Sequence, residues 1–179
     1  MEEIILVDER DQQVGTMEKI QAHQRALLHR AFSVFIFNSK GEMLLHQRAA
    51  DKYHSAGLWT NACCSHPRPG EATAEAAARR LREEMGFEVK LYKLFDFIYK
   101  TEFENGLTEH EFDHVFAGVY DGPITPNDRE VQDYSFKDIH SIRESLNLHP
   151  GRYTAWFRIA FHMVEQWMEK QGAGVIGKL

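Results

Sequence analysis

The stretch "SHPRPGEATAEAAARRLREEMGF" at residues 65–87 decides the fold prediction, because it joins a stiff loop to a helix rich in charged residues. Two prolines and a glycine restrict the loop, and Glu71 stands at its end. The residues that follow are strong helix formers. We therefore predict a helix over residues 72–87, and Gly86 provides its C-terminal stop.

The charged residues of this helix allow two interpretations. Glu84 follows Arg80 by four positions, so the two side chains lie on one helix face. A tight loop leading into such a helix can hold Mg²⁺ between carboxylates and a bound diphosphate. Salt bridges on a solvated face would produce the same local pattern. These residues alone leave both interpretations open.

Segments on both sides of the helix predict a sheet. Alternating or aromatic-rich runs indicate strands at residues 3–7, 27–38, 42–48, 89–103 and 110–120. We expect a reversal over 8–15, turns at 38–41 and 105–106, a short helix near 137–146 and a longer one from about 152 to 171. This order predicts an α+β fold with helices flanking a mixed sheet, in a single domain over residues 1–179.

The bulk composition narrows the classes of function. The chain has 179 residues, 43% hydrophobic and 27% charged, which is ordinary for a globular protein. Its net charge of −6 argues against broad nucleic-acid binding, and no apolar run is long enough for a membrane span. The acidic start, from Met1 to Ile4, does not resemble a signal peptide. We expect a cytoplasmic monomer.

Both cysteines of the chain lie side by side in "TNACCSHP" at residues 60–67. Adjacent cysteines cannot close a loop, so reduced thiols in a cytosol-like compartment are the better interpretation. A metal ligand, a nucleophile or an acid/base group remain as roles for Cys64. Cys63 is interpreted as a small buried residue that fills space.

Imidazole and carboxylate groups gather near three predicted strands. Glu109 and Glu111 occupy alternate positions, so they share one face of a strand. Three histidines and two glutamates could form a five-coordinate site for a divalent transition ion, namely His23, His29, His66, Glu109 and Glu111. Taken singly, His23 is a typical loop residue and Glu109 a typical solvated acid. Other histidines, including His46 and His54, are interpreted as surface or packing residues.

Residues 65–87 resemble the Nudix box, a conserved loop–helix motif of diphosphate enzymes. The stretch matches the box at Glu71, Arg79, Leu81, Glu83, Glu84 and Gly86. It departs from the box at Ser65, where the first glycine belongs, and at Arg80, which replaces a glutamate that binds metal in Nudix hydrolases. The resemblance implies a Nudix-like α/β/α sandwich. A cation at Arg80 weakens the case for hydrolysis, since it would hold a diphosphate.

"WTNACCSHP", "RLREEMG", "LLHRAFSVFIFN" and "TEHEFDHVF" together resemble the type I isopentenyl-diphosphate isomerase family over nearly the whole chain. The resemblance implies conversion of isopentenyl diphosphate to dimethylallyl diphosphate and back. It implies a catalytic Cys64 and the His/Glu ligand set named above, which would hold Mn²⁺ or Zn²⁺. It also implies that Mg²⁺ on Glu84 bridges to the diphosphate. The implied diphosphate contacts are Lys19, Arg48, Lys52 and Arg80, and the implied aromatic lining is Tyr99 and Trp156, with Trp59 packed nearby.

The implied reaction moves a double bond by one carbon, so it needs an acid and a base. Glu111 and Cys64 come from different segments and can face opposite sides of an alkene, with Tyr99 relaying a proton. Trp156 can stabilise a tertiary carbocation by cation–π attraction. Sequence leaves open which of Cys64 and Glu111 donates the proton. Two rival functions are a Nudix pyrophosphohydrolase and a metal-stabilised binding module.

Overall fold

The computed structural model describes residues 2–52, 54–103, 105–172 and 174–179, so Met1 lies outside it. Within these ranges the strands are β1 (Glu3–Val7), β2 (Gln13–Glu18), β3 (His29–Phe37), β4 (Met43–Arg48), β5 (Trp59–Thr60), β6 (Cys63–Ser65), β7 (Tyr92–Glu102), β8 (Thr108–Val119) and β9 (Val131–Lys137). The α-helices are α1 (Lys19–Gln24), α2 (Thr73–Met85), α3 (Ile139–Leu148) and α4 (Ala155–Gln171).

Strand β3 is the centre of the sheet. It pairs in parallel with β8 along its whole length, from His29 opposite Glu111 to Phe37 opposite Val119. It also pairs antiparallel with β1, β6 and β4, and β4 in turn pairs with β5 and β9. The sheet is therefore mixed, as predicted. The register sets His29 beside Glu111 on neighbouring strands.

Alternate residues of β3 enter two apolar layers because side chains of a strand point to opposite faces in turn. Val34 and Ile36 pack in the layer that contains Leu81 and Met85 of α2. Phe35 and Phe37 pack in the layer that contains Trp156, Phe157 and Phe161 of α4. Helices thus cover both faces of the sheet, and the predicted α/β/α sandwich is confirmed.

The end of α2 explains the glycine of the central motif. Gly86 has a φ of +76°, in the left-handed region that closes many helices. A Cβ at this position would lie 2.1 Å from the backbone oxygen of Thr125. Gly86 is therefore required both by its backbone conformation and by the close approach of a second segment.

Several elements differ from the sequence prediction. Strand β2 and helix α1 follow the reversal after β1, and neither was predicted. The helix predicted near 137–146 is present as α3, but it begins two residues later, because Lys137 ends strand β9, which was not predicted. Helix α3 begins after Asp138, whose carboxylate accepts a hydrogen bond from the Ser141 amide. Strand β9 escaped prediction because most of its residues are exposed or only partly buried.

The segment "TNACCSHP" forms two short strands between longer ones. Strand β5 pairs with β4, and β6 pairs with β3 so that Cys64 lies opposite Ser33. This pairing sets Cys64 beside the middle of β3 and directs the chain, with the following His66, towards the end of β3 at which His29 lies. Among the described residues, no helix is both long and apolar enough to cross a membrane.

Candidate active site

One cavity of about 610 Å³, measured with its open mouth, gathers most of the predicted site residues. Its walls contain Lys19, Arg48, Lys52, Cys64, His66, Arg80, Glu84, Tyr99, Glu109, Glu111 and Trp156. These residues come from helices, strands and loops that are distant in sequence. The cavity also contains His46, His54, Ser65 and Glu130, which the sequence did not indicate as site residues.

A buried cluster beside this cavity could hold a divalent ion. One potential ligand atom from each of His23, His29, His66 and Glu111 lies within 4.8 Å of the others. The rings of His23 and His29 have centroids 4.8 Å apart, and those of His29 and His66 5.0 Å apart. Oε1 of Glu111 lies 2.9 Å from Nε2 of His66 and 3.5 Å from Nε2 of His29.

The hydrogen bonds of two of these rings fit a metal site. Nδ1 of His23 donates to the Lys19 carbonyl at 2.7 Å, and Nδ1 of His29 donates to the Leu27 carbonyl at 2.8 Å. In the neutral form of each ring this leaves the lone pair on Nε2, and neither Nε2 atom has a hydrogen-bond partner within the described part of the chain. Backbone carbonyls fix the tautomer of metal-binding histidines in this way. The residues present therefore suit a divalent ion.

The two glutamates of strand β8 meet at Tyr99. The Tyr99 hydroxyl lies 2.6 Å from Oε2 of Glu111 and 3.0 Å from Oε2 of Glu109. Burial and then the charge of Glu111 raise the pKa of Glu109 well above its ordinary value. Burial opposes ionisation of Glu111 as well, but the imidazoles of His29 and His66 hold the pKa of Glu111 well below the ordinary value. The neighbouring carboxyls therefore differ in their affinity for a proton.

Cys64 faces the cavity from strand β6. Its Sγ lies 3.0 Å from Oδ1 of Asn61 and 3.6 Å from Oγ of Ser33. Burial and then the charge of Asp113 raise the pKa of the Cys64 thiol well above its usual value. Cys64 is therefore held as a thiol. Cys63 is fully buried in the apolar layer beneath α2, as the sequence indicated.

Charged pairs surround the rest of the cavity. Nη2 of Arg80 lies 2.5 Å from Oε1 of Glu84, which confirms that the two share a helix face. Glu130 pairs with Lys52 and lies 3.4 Å from Arg80. Positively and negatively charged side chains therefore line this part of the cavity, which suits an anionic ligand with a bound cation.

Trp156 closes the apolar side of the cavity. It is the second residue of α4 and is 3% exposed. The Arg48 guanidinium carbon lies over its ring, 5.2 Å from the ring centroid, so the indole is in reach of a cation. Trp59 lies outside this cavity and packs against the apolar layer of α4.

Comparison with known proteins identifies the family. The NUDIX domain profile matches residues 27–157. Isopentenyl-diphosphate Delta-isomerase 2 of Aromatoleum aromaticum is 48% identical over 173 residues, covering 97% of this chain and 92% of that protein. The chain belongs to the isopentenyl-diphosphate Delta-isomerase family. Isopentenyl-diphosphate Delta-isomerase of Serratia proteamaculans is 49% identical over 156 residues, covering 87% of each chain.

Solved structures agree on the fold of this isomerase-family chain. A crystal structure from Deinococcus radiodurans has a TM-score of 0.76 at 18% identity, covering 90% of this chain and 98% of that chain. The MutT protein of Methanosarcina mazei has a TM-score of 0.64 at 22% identity, covering 78% and 94%. At such identities the likeness concerns the fold, and it confirms the predicted Nudix architecture.

The structure brings together four of the five residues predicted to bind the transition metal. The cluster of four potential ligand residues includes His23, His29, His66 and Glu111 but not Glu109. Glu109 instead contacts Tyr99, and its Oε1 lies 3.4 Å from Nε2 of His54. Its role as a fifth metal ligand stays a prediction.

Two of the four cavity residues that the sequence did not indicate contact predicted site residues directly. His54 stacks on Phe103 with ring centroids 4.7 Å apart and lies edge-on to Trp156 at 5.8 Å. Burial lowers the pKa of His54 to about 3, so the ring is neutral. Glu130 lies just before strand β9, far in sequence from the cations it contacts. Both residues lie outside the helices and strands, where no repeating pattern of apolar residues shows which side chains are buried.

Proposed function

We propose that this chain interconverts isopentenyl diphosphate and dimethylallyl diphosphate. The observation that carries the proposal is that one cavity contains the Cys64 thiol, the Tyr99–Glu111 pair and the Trp156 ring, together with cations for a diphosphate. Relatives named for this activity match at 47–49% identity over nearly the whole chain. The small substrate and the reaction follow from that family membership.

The reaction forms one C–H bond and breaks another. A proton adds to the terminal CH₂ of the alkene, whose π electrons form the new C–H bond and leave a tertiary cation. A second proton leaves the carbon next to the diphosphate-bearing carbon, and the electrons of that C–H bond form the new double bond. Cys64 and the Tyr99–Glu111 pair are the proposed acid and base, and they exchange roles in the reverse direction.

Trp156 and the cations have separate proposed tasks. The Trp156 ring faces the cationic carbon, where cation–π attraction is worth about 2 kcal/mol or more when water is excluded. The diphosphate is bound by Lys19, Arg48, Lys52 and Arg80. Binding energy from this remote group positions the alkene between the acid and the base.

Two divalent ions complete the proposal. We propose Mn²⁺ or Zn²⁺ at His23, His29, His66 and Glu111, with Glu109 as a fifth ligand, and Mg²⁺ between Glu84 and the diphosphate. When bound, such ions supply positive charge that orients Glu111 and neutralises the diphosphate.

The free thiols of both cysteines support a cytoplasmic location, and we propose that the chain works there as a monomer.

The test is incubation of metal-replete protein with isopentenyl diphosphate and Mg²⁺ in D₂O, followed by NMR. We expect deuterated dimethylallyl diphosphate without release of phosphate, and a folded but inactive Cys64→Ala variant. Phosphate release without isomerised product would instead favour a pyrophosphohydrolase. Unchanged substrate with folded, metal-replete protein would favour a binding module.

A further inference from the structure

Asn61 lies three residues before Cys64, and its side chain is completely buried. Nδ2 of Asn61 donates one hydrogen bond to the Val34 carbonyl at 3.0 Å and another to the Cys63 carbonyl at 2.9 Å. An amide has only two N–H donors, so both are used. The opposite orientation would place the amide oxygen against two carbonyl oxygens. The hydrogen-bond network therefore fixes which way the Asn61 amide points.

This orientation aims Oδ1 of Asn61 at Sγ of Cys64, at 3.0 Å. A carbonyl oxygen can only accept a hydrogen bond, so the thiol must donate it. The Ser33 hydroxyl donates to Oδ2 of Asp113 at 2.7 Å, and its oxygen lies 3.6 Å from Sγ of Cys64, farther than Oδ1 of Asn61. The direction of the Cys64 S–H bond is thus set by a side chain that has no freedom to rotate.

The same oxygen is tied to the start of helix α4. The Thr60 hydroxyl donates to Oδ1 of Asn61 at 2.9 Å, and the Thr154 hydroxyl donates to Oγ1 of Thr60 at 3.0 Å. Thr154 is the N-cap residue of α4 and stands two positions before Trp156. Both threonines are fully buried, so water does not interrupt the chain of hydrogen bonds.

We propose that Asn61 is a positioning residue that fixes the Cys64 thiol, and that the Thr60–Thr154 contact sets this thiol relative to the Trp156 ring. The proposal rests on the roles given to Cys64 and Trp156 in the proposed function. It explains why a thiol and an aromatic ring from distant segments keep one relative placement in the cavity. A side chain fixed in this way loses no orientational freedom when substrate binds.

The first test reads the hydrogen bond without any activity measurement. In a Cys63→Ala background Cys64 is the only thiol, so its S–H stretching band can be recorded by infrared spectroscopy of the metal-loaded protein. We expect Asn61→Ala to move this band to higher frequency, as for a thiol that has lost its acceptor. An unchanged band would overturn the proposal.

A second pair of variants covers the case in which Asn61→Ala fails to fold. Thr60→Val keeps the shape of the side chain but removes the hydroxyl, whereas Thr60→Ser retains the hydroxyl. We expect Thr60→Val to shift the Cys64 band and Thr60→Ser to leave it in place. A band that is the same in the parent protein and in Thr60→Val would contradict the proposed chain of hydrogen bonds.

Kinetics then tests the consequence for the reaction. We expect Asn61→Ala to lower kcat about tenfold, equivalent to about 1.4 kcal/mol, with KM within about twofold of the parent value. Metal content and melting temperature are recorded with each variant. A raised KM with unchanged kcat would assign Asn61 to binding and reject a positioning role. If Cys64→Ala kept full activity, the catalytic role proposed for Cys64 would fail. If the parent protein did not isomerise isopentenyl diphosphate, the proposed function would fail, while the infrared band would still report the hydrogen bond.

Discussion

The Tyr99 hydroxyl lies 2.6 Å from Oε2 of Glu111, inside a cavity whose walls leave Tyr99 only 6% exposed. The two residues face each other on neighbouring antiparallel strands. Burial and then the charge of Glu109 raise the pKa of Tyr99 well above its ordinary value, so the phenol keeps its proton. We propose that Tyr99 relays a proton between the substrate and Glu111, and that it takes up one proton as it releases another, so that no phenolate forms.

Tyr99→Phe tests this relay, because it removes the hydroxyl and keeps the ring. We expect kcat to fall about 100-fold, as is typical for loss of an acid–base group, with little change in KM. Steady-state kinetics with isopentenyl diphosphate measures both constants. Tyr92→Phe on the same strand is the control and should behave as the parent protein. A change in KM alone would assign Tyr99 to substrate binding.

Arg80→Gln tests the pairing of Arg80 with Glu84. Glu84 is 4% exposed, so loss of Arg80 leaves a buried carboxyl without its cation. We expect the free energy of unfolding to fall by about 2 kcal/mol without Mg²⁺, and added Mg²⁺ to recover part of the loss. Urea unfolding with and without Mg²⁺ measures this difference.

Arg82→Gln on the same helix is the matched control. Arg82 pairs with Glu88 at the surface, where the side chains are 60% and 68% exposed. We expect a change within about 0.5 kcal/mol. Equal losses of unfolding free energy in the two variants would mean that the buried Arg80–Glu84 pair stabilises the fold no more than the exposed Arg82–Glu88 pair does.

His29→Asn tests the His/Glu metal cluster. We expect the bound transition metal to be lost and the melting temperature to become insensitive to a chelator. His110→Asn is the control, because Nδ1 of His110 also contacts a backbone carbonyl, that of Ala26, while the ring is outside the cluster. Elemental analysis of the purified proteins gives the metal content. Full occupancy in His29→Asn would rule out His29 as a ligand.

His46 provides a pH-dependent contribution to stability. Burial and then the charge of Arg48 lower the pKa of His46 from 6.5 to about 4. Between these values the unfolded chain binds a proton that the folded chain does not, so stability is lost as pH falls. The loss from His46 approaches about 3 kcal/mol near pH 4.

His46→Gln removes this titration and keeps an N–H donor for the Ala62 carbonyl, which Nδ1 of His46 contacts at 3.1 Å. We expect the difference in unfolding free energy between variant and parent to shift in favour of the variant as pH falls from 6.5 to 4. Urea unfolding at several pH values measures this difference. A constant difference across that range would contradict the lowered pKa of His46.

The sequence predicted the regular elements whose patterns are local. The helix from Thr73 to Met85 follows from its strong helix formers and from Gly86, and the central strand follows from alternation between two buried faces. Helix α1 has only six residues, too few for a helical period to be visible. Strand β9 pairs through its backbone with β4, and its exposed side chains leave no apolar alternation to detect.

The residue types of the site were in the sequence, but their proximity was decided by tertiary structure. Parallel pairing of β3 with β8 sets His29 beside Glu111, and pairing of β6 with β3 adds Cys64 and His66. Strand pairing depends on contacts between residues far apart in the chain, which no local pattern encodes. The same reason applies to Asn61, Glu130 and His54, whose partners come from segments that are distant in sequence. The sequence by itself therefore determined the chemical groups and the helices and strands that have a local pattern, and only long-range packing decided the remaining elements and the contacts of the site.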